Sequence, residues 1–212
     1  MAKPTPLTTT SYAILGLLAL QPWTTYELAQ QMRRALGQFW PRAESKLYEE
    51  PKKLVAHGLA RATQRSTGKR PRTVYSITAK GRRALAEWVP QPGAGPVLEC
   101  EALVKLFYAE HGTKQDVLAT LDGMRAWCDD RMRDSTGISQ AYLEGRGQFP
   151  ERLPWLVLCG QFLEELDLMV ERWTTWATSV VETWPEDIRE AAPDLGVLRA
   201  QAARDASWQA RA

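Results

Sequence analysis

The sequence is poor in the residues that build metal and disulfide sites. Its 212 residues include three cysteines and two histidines. Cys100, Cys128 and Cys159 are odd in number and lie at no metal-ligand spacing. We therefore exclude a disulfide framework and a Cys/His zinc site, expect no metal or cofactor, and expect all three thiols to be reduced and buried.

Catalytic and membrane-spanning patterns are also missing. No stretch approaches 18 uninterrupted apolar residues, and residues 1–6 lack the basic-then-apolar layout of a secretory signal. We therefore expect a soluble, cytoplasmic protein. No serine or cysteine nucleophile has a histidine in its local pattern, and neither H-E-x-x-H nor a phosphate-cradling glycine loop occurs. These absences argue against an enzyme.

Charge is distributed unevenly along the chain, although the formal net charge is only +2. Residues 1–92 contain 15 Lys/Arg and 5 Asp/Glu, whereas residues 93–212 contain 12 Lys/Arg and 20 Asp/Glu. The first part therefore carries +10 and the second −8. A basic N-terminal part of this kind predicts a polyanionic partner.

A Pro/Gly-rich linker at residues 90–97 coincides with the change of sign. It predicts a boundary between one domain over residues 1–89, interpreted below as a DNA-binding domain, and a second over residues 98–184, interpreted below as a helical dimerisation domain. Residues 185–212 are Ala-rich and are expected to form a partly helical tail.

The N-terminal elements follow the order of a winged helix-turn-helix with a two-stranded wing. They are an apolar helix ending before Pro22, a helix opened by a capping box of Thr24 and Glu27, a helix from Pro41 to His57, strands over 59–65 and 72–77, and a helix capped by Thr78. In such a fold the third helix lies in the DNA major groove, and the wing reaches the neighbouring backbone or minor groove. The predicted fold class is mainly α, with an all-helical C-terminal domain.

DNA contacts are predicted on the second and third helices and the wing. Between Arg61 and Arg72 there are five basic residues and no acidic one, which is typical of a phosphate-binding loop. Tyr48 lies at the edge of the third helix's polar face and could instead be an aromatic at the core rim. The candidate DNA-binding residues are Tyr26, Ser45, Lys46, Tyr48, Lys52, Arg65, Lys69, Arg70 and Arg72.

Several blocks of residues 8–89 resemble the PadR family of transcriptional regulators. The blocks are Tyr12-Ala13-Ile14-Leu15-Gly16-Leu17-Leu18, Thr25-Tyr26-Glu27-Leu28, Phe39-Trp40-Pro41, Ser45-Lys46-Leu47-Tyr48, Gly58-Leu59 and Val74-Tyr75-Ser76-Ile77-Thr78-Ala79-Lys80-Gly81. The resemblance implies a ligand- or stress-responsive repressor whose C-terminal helices form a dimer. It also implies small aromatic inducers.

The third helix departs from the family pattern, which has a leucine where this chain has Pro51. An internal proline removes a backbone hydrogen bond at a cost of about 3 kcal/mol. Either the helix kinks at Pro51 or it begins later than Pro41. Glu49 and Glu50 lie where they could repel DNA phosphates.

The C-terminal part is predicted to contain a helix over 98–111, a helix capped by Thr113 and Asp116, and a long last helix. An apolar stripe with alternating spacings of 3 and 4 marks the last helix and predicts a homodimer interface. It consists of Leu156, Cys159, Leu163, Leu166, Val170, Trp173, Ala177, Val180 and Trp184. The stripe could also pack within its own subunit. A second apolar face favours the dimer, and comprises Trp155, Leu158, Phe162, Met169 and Trp176.

Six of the nine tryptophans follow the linker. They could form plain core, or Trp127, Trp155 and Trp173 could line a site for a small aromatic or hydrophobic effector. The sequence thus predicts a homodimeric repressor that binds a pseudo-palindromic operator in double-stranded DNA. The alternative is a winged-helix module that binds proteins rather than DNA.

Overall fold

A computed structural model describes residues 5–67 and 70–209 of the chain. The chain divides into two compact units, Met1–Pro96 and Val97–Ala212, called the N-terminal and C-terminal units below. Each unit has its own set of packed helices, and each is described by itself.

The N-terminal unit has the predicted order of helices and hairpin strands. Its elements are α1 (Thr9–Leu20), β1 (Trp23–Thr24), α2 (Thr25–Leu36), α3 (Glu44–Ala56), β2 (Ala60–Thr67), β3 (Arg70–Ile77) and α4 (Ala79–Trp88). The hairpin strands extend further towards the tip than predicted. The third helix begins at Glu44 rather than just after Pro41.

The sheet has three antiparallel strands in the order β1-β3-β2, not two. In β1, Trp23 pairs with Tyr75, and both side chains are buried. The prediction missed this strand because two residues are too few to show an alternating pattern. In the hairpin the register runs from Ala60 opposite Ile77 to Thr67 opposite Arg70.

The core of the N-terminal unit lies between α1, α2 and α3. Its most buried side chains are Ile14, Leu15, Leu18, Leu28, Met32, Leu47 and Leu54. The capping boxes at Thr8 and Thr24 satisfy the first amide groups of α1 and α2, respectively. These caps fix where α1 and α2 begin, and thereby the surface on which α3 packs.

The start of α4 is tied to the end of α3. The Thr78 hydroxyl donates to the carbonyl of Gly58 at 2.8 Å, and Lys80 Nζ donates to the carbonyl of His57 at 2.9 Å. A Cβ atom at Gly81 would lie 2.1 Å from the carbonyl oxygen of Leu59. Only glycine permits this approach. Because Thr78, Lys80 and Gly81 contact the residues that directly follow α3, they hold α3 in place relative to the hairpin.

The C-terminal unit is helical in the part that the structure describes. It contains α5 (Glu101–Phe107), α6 (Lys114–Leu143), α7 (Leu153–Glu182), α8 (Leu195–Gln209) and short 3₁₀ turns at Ala109–His111, Pro150–Arg152 and Ile188–Glu190. The predicted helix over 98–111 is thus shorter, and its end is a 3₁₀ turn. The predicted tail contains the 15-residue helix α8.

α6 and α7 pack as an antiparallel pair of 30-residue helices. Lys114 Nζ donates to the carbonyl of Trp184 at 2.7 Å, and Arg131 Nε donates to Asp167 Oδ1 at 2.6 Å. Apolar packing at one end comes from Val117, Leu121, Ala177, Val181 and Ile188. Among the described residues, no helix is both long and apolar enough to span a membrane.

The cysteines differ in environment, so the expectation that all three are buried was wrong. Cys128 is buried, Cys100 is half-buried and Cys159 is exposed on α7. Cys128 Sγ donates to the carbonyl of Asp167 at 3.1 Å. Burial, reinforced by the charge of Asp167, raises the pKa of the Cys128 thiol.

Candidate nucleic-acid interface

The two sides of α3 differ in exposure. Leu47, Pro51 and Leu54 face the core with Glu50. The opposite side, called the α3 face below, is exposed and consists of Ser45, Lys46, Tyr48, Glu49, Lys52 and Ala56. The structure therefore places all four predicted α3 residues where a partner can reach them. Tyr48 is 37% exposed, at the margin of the α3 face.

Pro51 lies inside α3, which is continuous from Glu44 to Ala56. The helix begins later than Pro41, as one of the two alternatives had it, but Pro51 still lies in its interior. Proline has no amide hydrogen, so the carbonyl of Leu47 lacks its helical partner. The side chain of Pro51 is fully buried, which places the ring on the core side and away from the α3 face.

The buried carboxylate of Glu50 connects α3 to α1. Ser11 Oγ donates to Glu50 Oε2 at 2.6 Å, and Lys53 Nζ lies 3.3 Å from Glu50 Oε1. Ser11 and Glu50 are 0% and 9% exposed. The interpretation that Glu50 could repel DNA phosphates is therefore wrong, because its carboxylate points into the unit and has two partners there.

The connection between α2 and α3 presents one more cation. Trp40 Nε1 donates to Thr10 Oγ1 at 3.1 Å, which anchors the connection to α1. The exposed Arg42 lies with its guanidinium carbon 4.1 Å from the centre of the Trp40 ring. The sequence analysis missed Arg42, although the Phe39-Trp40-Pro41 block beside it was available as a signal.

The wing places two arginines opposite one another. Arg65 on β2 pairs in register with Arg72 on β3, and both are exposed. A side-chain hydrogen bond from Gln64 to Thr73, 2.9 Å long, joins the next residue pair. Like charges directly opposite are unfavourable in a sheet unless an anion compensates them. Of the two further predicted residues, Lys69 lies outside the described residues, and so does the side chain of Arg70.

The first turn of α2 lies close to the wing. Hydrogen bonds from the backbone and hydroxyl of Thr24, with a smaller effect from the charge of Arg72, lower the pKa of Glu27. Tyr26 beside it is 62% exposed. Tyr26 thus lies in the same helical turn as Glu27, whose pKa responds to the charge of Arg72. At the other end of α2, Arg33 forms an ion pair with Glu44 of α3.

Residues 14–87 match the family model described as "Transcriptional regulator PadR-like family". The negative transcriptional regulator PadR of Bacillus subtilis (strain 168) is 31% identical over 108 residues. That alignment covers 50% of this chain and 59% of the relative. This chain carries a domain of the PadR-like family. The family resemblance predicted from the sequence is confirmed.

Solved PadR structures share the fold. Bacillus subtilis PadR in complex with operator DNA superposes with a TM-score of 0.71 at 22% identity, covering 84% of this chain and 99% of that chain. Bacillus subtilis PadR in complex with p-coumaric acid superposes with a TM-score of 0.63 at 22% identity, covering 82% and 99%. Matched PadR proteins are transcriptional regulators, which are not enzymes.

The predicted dimerisation stripe is divided between two environments. Ala177 is buried against α6, and Trp173 and Trp184 pack against the same cluster. The other stripe residues are half-buried, except Cys159, which is exposed. The second apolar face, called the α7 outer face below, remains uncovered, and consists of Trp155, Leu158, Phe162, Met169 and Trp176.

Two of the three predicted effector residues, Trp155 and Trp173, lie too far apart on α7 to line one small site in a single chain. Trp127 and Trp155 are exposed and Trp173 is half-buried. Trp155 and Trp173 are 18 positions apart on α7, roughly 27 Å along the helix at about 1.5 Å per residue. A cavity of about 360 Å³ lies elsewhere, lined by Val104, Lys105, Leu106, Tyr108, Ala109, Gly112, Asp116, Val117 and Thr120. Among the described residues no group of three or more His, Cys, Asp or Glu could hold a metal ion.

Proposed function

We propose that this protein is a transcriptional repressor that binds a pseudo-palindromic operator as a homodimer. The observation that carries the proposal is the exposed α3 face together with the opposed arginines of the wing, in a unit of the PadR-like family. A helix of about 10 Å diameter fits the roughly 12 Å major groove. Wing cations beside it would replace counterions condensed on the phosphates.

The test is duplex-DNA binding as a function of salt. We expect the affinity for a fluorescent duplex to fall steeply between 50 and 200 mM salt, with a log-log slope of about 0.9 per phosphate contact. Replacing Arg65 and Arg72 by Ala should reduce the slope by about 2 in each protomer. The matched control replaces Arg189 and Arg199, two exposed arginines of the C-terminal unit outside α7, and should leave the slope unchanged.

A flat salt profile would favour the alternative, a winged helix that binds protein. An unchanged slope in the Arg65/Arg72 variant would remove these two residues from the interface. The proposed DNA binding would then depend on the cations of the α3 face.

The homodimer is proposed from the uncovered aromatic area of α7. Trp155 and Phe162 are each 60% exposed, and Trp176 is 44% exposed. Large aromatic side chains each bury 150–250 Å² in cores and interfaces, at roughly 25 cal/mol per Å² of apolar surface. Five exposed apolar side chains on one side of a 30-residue helix, from Trp155 to Trp176, are more than isolated surface residues would account for.

Light scattering coupled to size exclusion tests the dimer. At about 10 μM we expect twice the chain mass of 23.9 kDa. The double variant Phe162→Glu, Trp176→Glu should elute as a monomer, whereas Leu143→Glu, an 88% exposed leucine outside the α7 outer face, should remain dimeric. A wild-type monomer, or dissociation by both variants, would contradict the proposal.

A small aromatic effector completes the proposal, because p-coumaric acid is bound in a structurally similar PadR. Trp127, Trp155 and Trp173 remain the candidate contacts. Because Trp155 and Trp173 lie far apart on α7, only one of them can contact an effector molecule bound to a single chain. The probe is p-coumaric acid itself. We expect saturable quenching of tryptophan fluorescence and weaker duplex binding, with the quenching reduced by Phe substitution of the contacting tryptophan. DNA affinity that is independent of saturating p-coumaric acid would exclude this compound as effector.

A further inference from the structure

The α3 face contains one carboxylate without a partner. Glu44 forms an ion pair with Arg33, and Glu50 is held by Ser11 and Lys53. Glu49 differs from both, since it is exposed and, among the described residues, has neither a hydrogen bond nor an ion pair. Although Lys46 and Lys52 lie three positions before and after it, neither forms an ion pair with it.

Glu49 lies near the middle of the α3 face. At 100° per residue, Ser45, Glu49, Lys52 and Ala56 form one row with spacings of 4, 3 and 4. This row points away from the buried residues Leu47 and Leu54. A helix that enters a groove with this face presents the row to the base edges, so the carboxylate meets bases rather than solvent.

We propose that Glu49 is a specificity-determining residue that accepts a hydrogen bond from the N4 amino group of a cytosine in each half-site. The inference rests on the proposed DNA-binding function. An ionised carboxylate is an acceptor only. In the major groove guanine presents two acceptors, thymine an acceptor and a methyl group, and adenine an acceptor beside its donor. Cytosine presents a donor, so it is the base that a lone carboxylate selects.

The same carboxylate excludes other sequences. Opposite guanine or thymine it would be desolvated against acceptor atoms, and near the backbone it would be repelled by phosphates. The flanking lysines keep the α3 face positive overall, so general attraction to DNA persists while one position discriminates. A cytosine contact of this kind corresponds to about 5- to 150-fold in affinity over the wrong base.

The experiment is selection of bound duplexes from a randomised library by the 212-residue chain and four variants. Glu49→Ala should lose a cytosine preference at one position per half-site and keep the rest of the motif. Glu49→Gln should change that position from cytosine to adenine, because an amide pairs with both the N6 donor and the N7 acceptor of adenine. Competition binding with the wild-type motif and its single-base variants then measures the 5- to 150-fold discrimination.

Glu87→Ala is the matched control, because Glu87 is an exposed glutamate of α4 and its loss changes the net charge equally. It should strengthen binding to all duplexes alike and leave the motif unchanged. Lys52→Ala is the second control and should weaken binding while the cytosine position persists. Circular dichroism melting checks that every variant is folded.

The outcomes separate this inference from the proposed function. If the wild type enriches a motif but Glu49→Ala enriches the same motif, only the role of Glu49 is overturned. The same conclusion follows if Glu49→Ala behaves as Glu87→Ala does, which would make the carboxylate purely repulsive. If the wild type retains no duplex at low salt, the DNA-binding function fails and the inference fails with it.

Discussion

The hydrogen bond between Ser11 and Glu50 provides a direct test of what holds α3 in place. It is 2.6 Å long and buried, and it joins residues 39 positions apart. A hydrogen bond to a charged group contributes about 1.5–3 kcal/mol, and removing the donor leaves a buried carboxylate short of a partner. Ser11→Ala also removes the acceptor for the amide of Thr8, which lies 3.0 Å away. We expect Ser11→Ala to lower the free energy of unfolding of the N-terminal unit by about 2–4 kcal/mol.

A second set of variants separates the helix cap from the carboxylate. Thr8→Ala removes the other half of the capping box but leaves the bond to Glu50, and should cost about 1 kcal/mol. Glu50→Gln keeps the shape and removes the charge. In the double-mutant cycle of Ser11→Ala with Glu50→Gln we expect a coupling of about 1 kcal/mol or more, because the two side chains touch.

Hydrogen exchange measured by mass spectrometry reports the two units separately. Peptides from α1 and α3 should lose protection in Ser11→Ala, while peptides from α6 and α7 should not change. The reasoning is refuted if Ser11→Ala costs no more than Thr8→Ala and the coupling lies within about 0.5 kcal/mol of zero. In that case the carboxylate would not position the α3 face.

Three further predictions concern single sites. Asp167→Ala removes the ion-pair partner of Arg131, whose Nη2 already lacks a hydrogen bond. It should lower the free energy of unfolding in urea by about 3–5 kcal/mol, and a loss below about 1 kcal/mol would contradict a buried ion pair. Gly81→Ala places a Cβ against the carbonyl of Leu59 and should lower the stability measured in a thermal melt by roughly 1–3 kcal/mol. An unchanged melting temperature would contradict this prediction. The pKa of Glu27 is lowered on folding, so the stability it contributes is present above the unfolded pKa of about 4.3 and is lost as pH falls through the folded pKa. In Glu27→Gln the free energy of unfolding should therefore fall less steeply with decreasing pH than in the wild type. The same pH dependence in both proteins would exclude a contribution from Glu27.

Short-range signals predicted the starts of α2 and α4 correctly. The Thr24 hydroxyl accepts from the amide of Glu27 at 3.3 Å, and the Thr78 hydroxyl accepts from that of Gly81 at 3.0 Å. Such caps depend on residues three positions apart, so the local sequence contains all the information needed. The α3 start could not be located in this way, because its N-cap position is Ala43, whose side chain makes no hydrogen bond.

Long-range partners explain what the sequence could not predict. On α7 the buried positions include Asp167 and Thr174, two polar residues that an apolar pattern assigns to the outside. Asp167 is buried because Arg131 of α6 supplies its partner, 36 positions away. Since the pattern of α7 alone cannot reveal that pairing, it identified the apolar positions of the helix but not which of them face α6.

Partners on neighbouring residues also change the net charge that α3 exposes. By count the helix has three glutamates and three lysines and is neutral. Arg33 compensates Glu44 from outside the helix, and Lys53 compensates Glu50 on the buried side. The α3 face retains Lys46, Lys52 and the single carboxylate of Glu49. A helix that is neutral in composition therefore presents a positive surface with one carboxylate, an arrangement suited to attracting DNA generally and discriminating at one base.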